Sequence, residues 1–170
     1  MVRALPCILV VEDEPAVRDL IVAFLKAGGH EHVVCAGNAE EALFYIFKDR
    51  GLNIQCALID LVLPNASGLA LIRRVREAKS PRRRALPIIV LTGRTDTGTY
   101  KAAMRRGIDG YLMKPVSPDL LIETVNKQLS ARGITPPQPL RPGLGTGDGL
   151  EAPPSVEGPA SAEPEAKASV

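Results

Sequence analysis

Short apolar runs alternate with segments of helical periodicity over the first 131 residues. Five runs are rich in Val, Ile and Leu without polar alternation, which is typical of parallel strands covered on both faces. They are CILVVED, HVVCA, CALID, PIIVLT and YLMK. Between them, apolar residues recur every three or four positions, as in Val17, Leu20, Ile21, Phe24 and Leu25, which predicts helices. This alternation predicts right-handed crossovers and an α/β fold with a doubly wound, five-stranded parallel sheet.

Capping residues mark the ends of several predicted helices. Asn38 is placed as the N-cap of the second helix, with Glu41 at its third position, which is a variant of the capping box. Ser117 followed by Pro118 is a similar start for the last helix. Gly107 is a typical residue just beyond the end of the preceding helix.

Composition divides the chain near residue 131. Residues 132–170 include eight Pro, six Gly and no aromatic residue, and such a segment cannot bury enough apolar surface to offset its ordering entropy. We therefore predict a folded domain over residues 1–131 and a disordered Pro/Gly/Ala-rich tail over residues 132–170.

Charge and cysteine usage indicate a cytoplasmic protein. The formal net charge of +2 is too small to imply a polyanionic partner. Cys7, Cys35 and Cys56 lie in apolar runs and form no C-x-x-C pair, so we predict buried, reduced thiols. The first residues make a poor signal peptide, and no apolar run reaches the roughly 20 residues that span a bilayer.

Polar residues stand at the ends of four predicted strands. Glu12 and Asp13 end the first, Asp60 the third, Thr92 the fourth and Lys114 the fifth. Ligands bind doubly wound sheets at the carboxyl ends of the strands. Three carboxylates there repel one another unless Mg²⁺ and the Lys114 ammonium neutralise them. Phosphoryl transfer to a carboxylate needs the same groups, namely a fixed nucleophile, a hydroxyl donor and positive charge.

Four motifs in register point to a known family. ILVVEDEP, the D-x-x-x-P-x-x-x-G pattern of DLVLPNASG, PIIVLTG and GYLMKP resemble the receiver domain of bacterial two-component response regulators, in its single-domain, chemotaxis-regulator-like form. The resemblance implies a (βα)5 flavodoxin-like fold with strand order 2-1-3-4-5. It implies a cis Lys114–Pro115 bond. It also implies Asp60 as phosphoacceptor, Glu12, Asp13, Asp60 and the Val62 backbone carbonyl as Mg²⁺ ligands, Thr92 and Lys114 as phosphoryl contacts, and Thr92 and Tyr111 as switch residues.

The resemblance further implies a stand-alone response regulator that is not an enzyme beyond its own phosphoryl transfer and slow dephosphorylation. Its expected partner is a sensor histidine kinase or a histidine phosphotransfer protein. No output domain follows the predicted receiver, so the signal is expected to leave through protein contacts on the face formed by the fourth helix, fifth strand and fifth helix. A homodimer through that face is compatible with the resemblance, and the downstream target stays open.

Two positions that tune the phosphoryl lifetime in this family hold Val62 and Arg94. Val62 cannot orient a water molecule, and Arg94 carries the wrong charge to act as a base. We therefore expect slow self-dephosphorylation.

Functions of other classes make different demands on the sequence. A flavin- or nucleotide-binding enzyme would need a phosphate-cradling Gly-rich loop after the first strand, where VVEDEPAV has acids and no glycine. An aspartyl-phosphate hydrolase would need a carboxylate where Val62 stands. A phosphorylation-independent adaptor with a vestigial receiver site is the remaining alternative, and Mg²⁺ titration separates it from a working receiver.

Two further patterns carry charge or imidazole groups. Seven bases lie between Arg73 and Arg84, with Glu77 as the only acid. They could bind nucleic acid or an acidic partner, or form a solvated helix face and loop. Because no aromatic residues interleave and no helix-turn-helix follows, we do not expect nucleic-acid binding. His30 and His32 lack neighbours that complete a metal site and are expected to form an exposed strand entry.

Overall fold

A computed structural model describes residues 6–48, 51–93 and 96–139, which form a five-stranded parallel sheet with helices against it. The strands are β1 (Cys7–Val11), β2 (Val33–Ala36), β3 (Ile54–Asp60), β4 (Ile88–Thr92) and β5 (Gly110–Met113). The helices are α1 (Pro15–Ala27), α2 (Ala39–Phe47), α3 (Gly68–Arg76), α4 (Pro81–Arg84), α5 (Thr97–Arg105) and α6 (Pro118–Ser130). The order across the sheet is β2-β1-β3-β4-β5, which confirms the predicted fold.

The apolar strands are buried from both sides. Alternate residues of a strand point to opposite faces. Ile8 and Val10 pack into a cluster with α1 and α6, whereas Leu9 and Val11 pack into a cluster with α2 and α3. Every residue of β1 is buried, so this strand has no solvent-facing side and its sequence shows no polar alternation.

The predicted capping residues lie at the helix ends. The Asn38 side chain accepts a hydrogen bond from the Glu41 N–H, at 2.9 Å, and the Ser117 hydroxyl accepts one from the Leu120 N–H, at 3.3 Å. Gly107 follows the end of α5 with a φ of 70°, a left-handed conformation that glycine adopts without strain.

The four-residue helix α4 was not predicted. It begins at Pro81, is only one turn long and buries none of its side chains, so it leaves no apolar periodicity in the sequence. The predicted fourth and fifth helices are consequently α5 and α6.

His30 is buried, and the expectation of an exposed strand entry is wrong at this residue. It is 1% exposed, and its Nε2 lies 2.9 Å from Oδ1 of Asn126 on α6. Asn126 lies 96 positions away along the chain, so no local pattern signals this contact. His32 is exposed, as predicted.

The burial of His30 predicts a pH-dependent stability. Burial lowers the pKa of His30, and the hydrogen bond to Asn126 only partly opposes this. The unfolded chain therefore takes up the proton more readily than the folded one, so the free energy of unfolding should fall as the pH drops below about 6.5. Urea unfolding at about pH 7.5 and pH 5 should show this loss in the wild type. It should be smaller in His30→Gln and retained in His32→Gln, and equal pH dependence in all three proteins would contradict the assignment.

The described chain stays on the domain surface beyond residue 131. Ile134 is partly buried against the cluster of α1 and α6, and its N–H donates to the Leu129 carbonyl at 3.0 Å. Gly29 has a φ of 88°, and a Cβ at this position would lie 2.3 Å from the Gln138 carbonyl oxygen. Residues 140–170 lie outside the described residues, and their disorder stays a prediction.

The three cysteines are reduced thiols. Cys7 and Cys56 are buried, whereas Cys35 is partly exposed. Burial raises the pKa of Cys56 to about 12, which keeps this thiol protonated and unreactive. Among the helices that the structure describes, none is long and apolar enough to cross a bilayer.

Candidate functional site

The strand register brings the predicted polar residues to one edge of the sheet. Val11 pairs with Ile59, so Glu12 follows β1 at the level of Asp60. Asp60 pairs with Leu91, and Thr92 pairs with Met113. The polar residues at the ends of β1, β3, β4 and β5 therefore lie at the carboxyl edge, where parallel sheets bind ligands.

Asp60 is held by two hydrogen bonds although its strand is apolar. The residue is 6% exposed. Its Oδ2 accepts a hydrogen bond from Nζ of Lys114 at 2.5 Å, and its Oδ1 accepts one from the Val62 N–H at 2.9 Å. A buried carboxylate is tolerated when it is paired and hydrogen-bonded in this way.

Lys114 bridges two carboxylates. Its Nζ also donates to Oε2 of Glu12, which is 2% exposed. Burial by itself lowers the pKa of Lys114, but the hydrogen bonds and negative charges of Asp60 and Glu12 outweigh it, and the pKa is raised. Lys114 is therefore a cation at neutral pH.

The third carboxylate is open to solvent. Asp13 is exposed, and Glu12, Asp13 and Asp60 each offer an oxygen within 4.8 Å of the others. Glu12 and Asp60 are engaged with Lys114, whereas Asp13 is exposed to solvent beside them. Clustered carboxylate oxygens of this kind suit a hard divalent cation such as Mg²⁺.

The loop after β3 depends on close backbone contact. A Cβ at Gly68 would lie 2.1 Å from the Asp60 carbonyl oxygen, and the Gly68 N–H donates to the Leu61 carbonyl at 3.0 Å. Asn65 turns the chain with a φ of 64°. The glycine of the D-x-x-x-P-x-x-x-G pattern is thus required because α3 begins directly against the strand that carries Asp60.

The family model of the response regulator receiver domain matches residues 8–126. The chain belongs to this family. It is 36% identical over 119 residues to the transcriptional regulatory protein AruR of Pseudomonas aeruginosa, which covers 69% of this chain and 46% of AruR. It is 38% identical over 120 residues to an uncharacterized 14.6 kDa protein of Leptolyngbya boryana, covering 71% of this chain and 87% of that protein. The chain spans about half the length of the first curated response regulators it matches.

Solved receiver domains have the same fold. A response regulator receiver protein from Pseudomonas putida superposes with a TM-score of 0.67 at 38% identity, covering 74% of this chain and 99% of that one. The receiver domain of the sensor histidine kinase PA1611 from Pseudomonas aeruginosa, which has a magnesium ion in its active-site cleft, gives a TM-score of 0.66 at 27% identity. That match covers 75% of this chain and 99% of the PA1611 domain.

Thr92 and Val62 border the carboxylate cluster of this receiver domain. Thr92 is fully buried at the end of β4, and its carbonyl accepts the Lys114 N–H at 2.9 Å. The bond between Lys114 and Pro115 is cis, as the family resemblance implied. Val62 is 54% exposed, so its side chain faces solvent directly beside Asp60.

Tyr111 lies on β5 and packs against a second aromatic residue. Its ring meets that of Tyr100 on α5 edge-on, with centroids 5.1 Å apart. Burial raises the pKa of the Tyr111 hydroxyl, with smaller effects from Asp96 and Tyr100. This contact links the predicted switch residue to the surface of the receiver domain.

Sequence reasoning missed a residue that supports the site. Nη1 of Arg18 on α1 donates to the Glu12 backbone carbonyl at 2.8 Å. This bond helps to fix the backbone of Glu12 and so the position of its carboxylate. A basic residue six positions after Glu12 is too common a feature to have revealed this contact.

Proposed function

We propose that this receiver domain is a stand-alone response regulator that accepts a phosphoryl group on Asp60 in a Mg²⁺-dependent reaction. The donor is a sensor histidine kinase or a histidine phosphotransfer protein, and the protein acts in the cytoplasm. The observation that carries the proposal is the nearly buried Asp60, bonded to Lys114 and clustered with Glu12 and Asp13. Such a constellation matches the needs of phosphoryl transfer.

Each group has a role in the proposed reaction. The Val62 N–H and Lys114 hold the Asp60 carboxylate in place as the nucleophile. Asp60 forms an O–P bond while the P–N bond of a phosphohistidine breaks, and the imidazole leaves with that electron pair and takes up a proton. Lys114 and the Thr92 hydroxyl then contact the new phosphoryl oxygens.

The metal would be held by Glu12, Asp13, Asp60 and the Val62 backbone carbonyl. When bound, Mg²⁺ neutralises negative charge on the phosphoryl oxygens and carboxylates. The magnesium ion in the active-site cleft of the PA1611 receiver domain supports this assignment. The protein catalyses only its own phosphoryl transfer and its slow reversal by water.

Apolar side chains on elements beside the site support protein docking there. Leu20 on α1 is 53% exposed, and Met113, next to Lys114, is 52% exposed. Large exposed apolar side chains beside a reactive group are a feature of protein interaction surfaces. They suit a protein that must present its phosphohistidine to Asp60.

The signal leaves through the face of α5, β5 and α6. Tyr111 contacts Tyr100, and Tyr100 and Met104 on α5 are 45% and 48% exposed. Phosphorylation shifts the equilibrium between two conformations of this face if Thr92 and Tyr111 make different contacts in the phosphorylated and unphosphorylated states. The same face is where a homodimer would form.

The decisive experiment is intact-mass analysis after incubation with acetyl phosphate and Mg²⁺. The wild type should gain one phosphoryl group, and Asp60→Asn should gain none. Omission of Mg²⁺ should abolish the gain in the wild type. A wild type that stays unmodified would favour the phosphorylation-independent adaptor, and modification of Asp60→Asn would place the phosphoacceptor elsewhere.

The exposed position of Val62 predicts a long phosphoryl lifetime. An amide at this position can orient a water molecule toward the phosphoryl group, whereas Val62 cannot. We expect Val62→Asn to shorten the half-life of the phosphorylated protein by about tenfold. This is less than the roughly 10²–10⁴-fold of a side chain that transfers a proton, because an amide only orients the water. Loss of radiolabel after removal of the donor measures it, with Val62→Ala as the control for lost bulk. An unchanged half-life in Val62→Asn would refute this role.

A further inference from the structure

Helix α2 presents aromatic residues that the phosphoacceptor site does not use. Phe44, Tyr45 and Phe47 are three of the six aromatic residues of the chain. Phe44 is 55% exposed, and the other two are only partly buried. Phe44 and Tyr45 pack edge-on with their centroids 5.9 Å apart. A cluster of half-exposed aromatic side chains is a feature of binding surfaces.

Two hollows lie beside these aromatic residues. The larger, of about 500 Å³, is lined by Leu43, Phe44, Phe47 and Ala78 together with Glu40, Lys48, Arg74 and Glu77. The smaller, of about 360 Å³, is lined by Tyr45, Ile46, Leu52, Ile54 and Leu86 together with Ser80, Arg82 and Arg83. The Arg83 guanidinium lies 5.5 Å from the centroid of the Phe47 ring, so the two hollows adjoin. We call them together the α2–α4 groove.

The groove carries positive charge that the domain itself does not neutralise. Of the seven bases between residues 73 and 84, Arg73 pairs with Glu77 and Arg76 with Asp109. Three of the other bases, Arg74, Arg82 and Arg83, line the groove, and none of these three forms an ion pair with a carboxylate of the described residues. The Arg82 guanidinium donates to the uncharged Oδ1 of Asn53. The stretch from Arg73 to Arg84 contains no aromatic residue. In the folded chain, however, aromatic rings of α2 lie next to its bases.

We propose that the α2–α4 groove binds an acidic segment of a partner protein that also carries aromatic or aliphatic side chains. The apolar linings take up such side chains, and the bases without a carboxylate partner meet the acids of the segment. This charge complementarity selects one partner over others. Tyr45 and Arg83 are of the residue types that dominate binding energy at protein interfaces, and Phe is enriched there as well.

Two carboxylates favour a peptide over a nucleic acid. Glu40 and Glu77 line the larger hollow, and a continuous phosphate backbone would have to pass them. A peptide can place uncharged residues there and its acids beside Arg82 and Arg83. The groove is separate from the phosphoacceptor cluster, so this interaction goes beyond the function proposed above and does not require phosphorylation.

The test is selection of random peptides of about 12 residues, displayed on phage, against the immobilised full chain. Counter-selection uses a chain with Phe44→Ser, Arg82→Glu and Arg83→Glu combined. We expect the enriched peptides to be net acidic and to contain aromatic or aliphatic residues. An enriched peptide, synthesised with a fluorescent label, should bind the wild type and Asp60→Asn equally. That comparison keeps the result independent of the phosphoacceptor role.

Point variants locate the binding surface. Phe44→Ala alone and Arg82→Glu/Arg83→Glu together should each weaken the labelled peptide at least about tenfold, as loss of an interface anchor does. Leu120→Ala, another half-exposed apolar residue, and Arg105→Glu should leave affinity within about twofold, and circular dichroism should show all variants folded. The proposal is overturned if no peptide is enriched, if the enriched peptides are not acidic, or if the controls weaken binding equally. It is also overturned if a labelled oligothymidine binds the same surface more tightly than the peptides.

Discussion

Lys114→Met is expected to slow phosphorylation of Asp60 by about a hundredfold and, at the same time, to tighten Mg²⁺ binding. The rate should fall because the ammonium that would meet the phosphoryl oxygens is gone, and one preorganised charge or donor is worth about 10²–10³ in rate. Mg²⁺ affinity should rise by roughly tenfold. In the wild type the Lys114 ammonium bonds to both Glu12 and Asp60 and repels a second cation beside them, and the variant lacks this repulsion.

The same substitution should destabilise the metal-free protein. The side chains of Glu12 and Asp60 are only 3% and 8% exposed, and without Lys114 they would face each other without a counter-charge. We expect the free energy of unfolding to fall by about 2–4 kcal/mol in EDTA, since breaking a buried ion pair leaves an uncompensated charge. Saturating Mg²⁺ should restore much of that loss, because binding to the folded state stabilises it.

Three measurements together separate this account from simple misfolding. Urea unfolding with EDTA or Mg²⁺, Mg²⁺ titration and phosphorylation kinetics should be compared with those of Lys127→Met, an exposed lysine on α6 that should change none of them. Misfolding would weaken Mg²⁺ binding along with phosphorylation. Mg²⁺ affinity that stays constant or falls in a folded Lys114→Met would therefore refute the competition between the ammonium and the metal.

The sheet could be predicted from sequence because its signals are local. Each strand is a continuous apolar run, and Asn38, Gly107 and Ser117 mark helix boundaries through bonds or dihedrals within a few residues of themselves. The parallel arrangement then brings the carboxyl ends of all strands to one edge, so it predicts that Glu12, Asp13, Asp60 and Lys114 lie at the same edge of the sheet. The strand order and the roles of the residues came from the family resemblance.

What the sequence did not reveal depends on long-range packing. The imidazole of the buried His30 is hydrogen-bonded to Asn126 on α6. The aromatic residues of α2 contact the bases of α4 only in the folded chain. Neither contact leaves a periodicity or a spacing. The stretch from Arg73 to Arg84 shows the same limit, because its seven bases look equivalent in sequence and have different partners in the structure.

Arg76 is the base in that stretch on which stability should depend most. Its guanidinium donates to the carbonyls of Gly107, Arg84 and Leu86 and to Oδ2 of Asp109, at 2.7–3.0 Å. The same Oδ2 accepts the N–H of Ile88 at 2.9 Å. One side chain thus joins the end of α3 to the connections before β4 and β5.

Arg76→Ala is expected to lower the free energy of unfolding by about 2–4 kcal/mol. Three carbonyls and one carboxylate would lose a donor whose side chain is only 20% exposed, and the bond to the Leu86 carbonyl is partly buried. Arg76→Lys should recover less than half of this, since one ammonium cannot reproduce the planar fork of donors. The matched control is Arg73→Ala, whose side chain is 67% exposed and, among the described residues, bonded only to Glu77. This variant should cost less than about 0.5 kcal/mol. Urea unfolding measures all three.

Phosphorylation tests whether this effect is confined to stability. Arg76 acts at the amino end of β4, beside Ile88, whereas the proposed phosphoacceptor cluster lies at the carboxyl end, beside Thr92. The fraction of Arg76→Ala that is folded should therefore accept a phosphoryl group from acetyl phosphate at the wild-type rate. A loss of stability no larger than that of Arg73→Ala would show that water replaces the guanidinium at these carbonyls. A slowed phosphorylation of fully folded Arg76→Ala would show instead that the two ends of the strand are coupled.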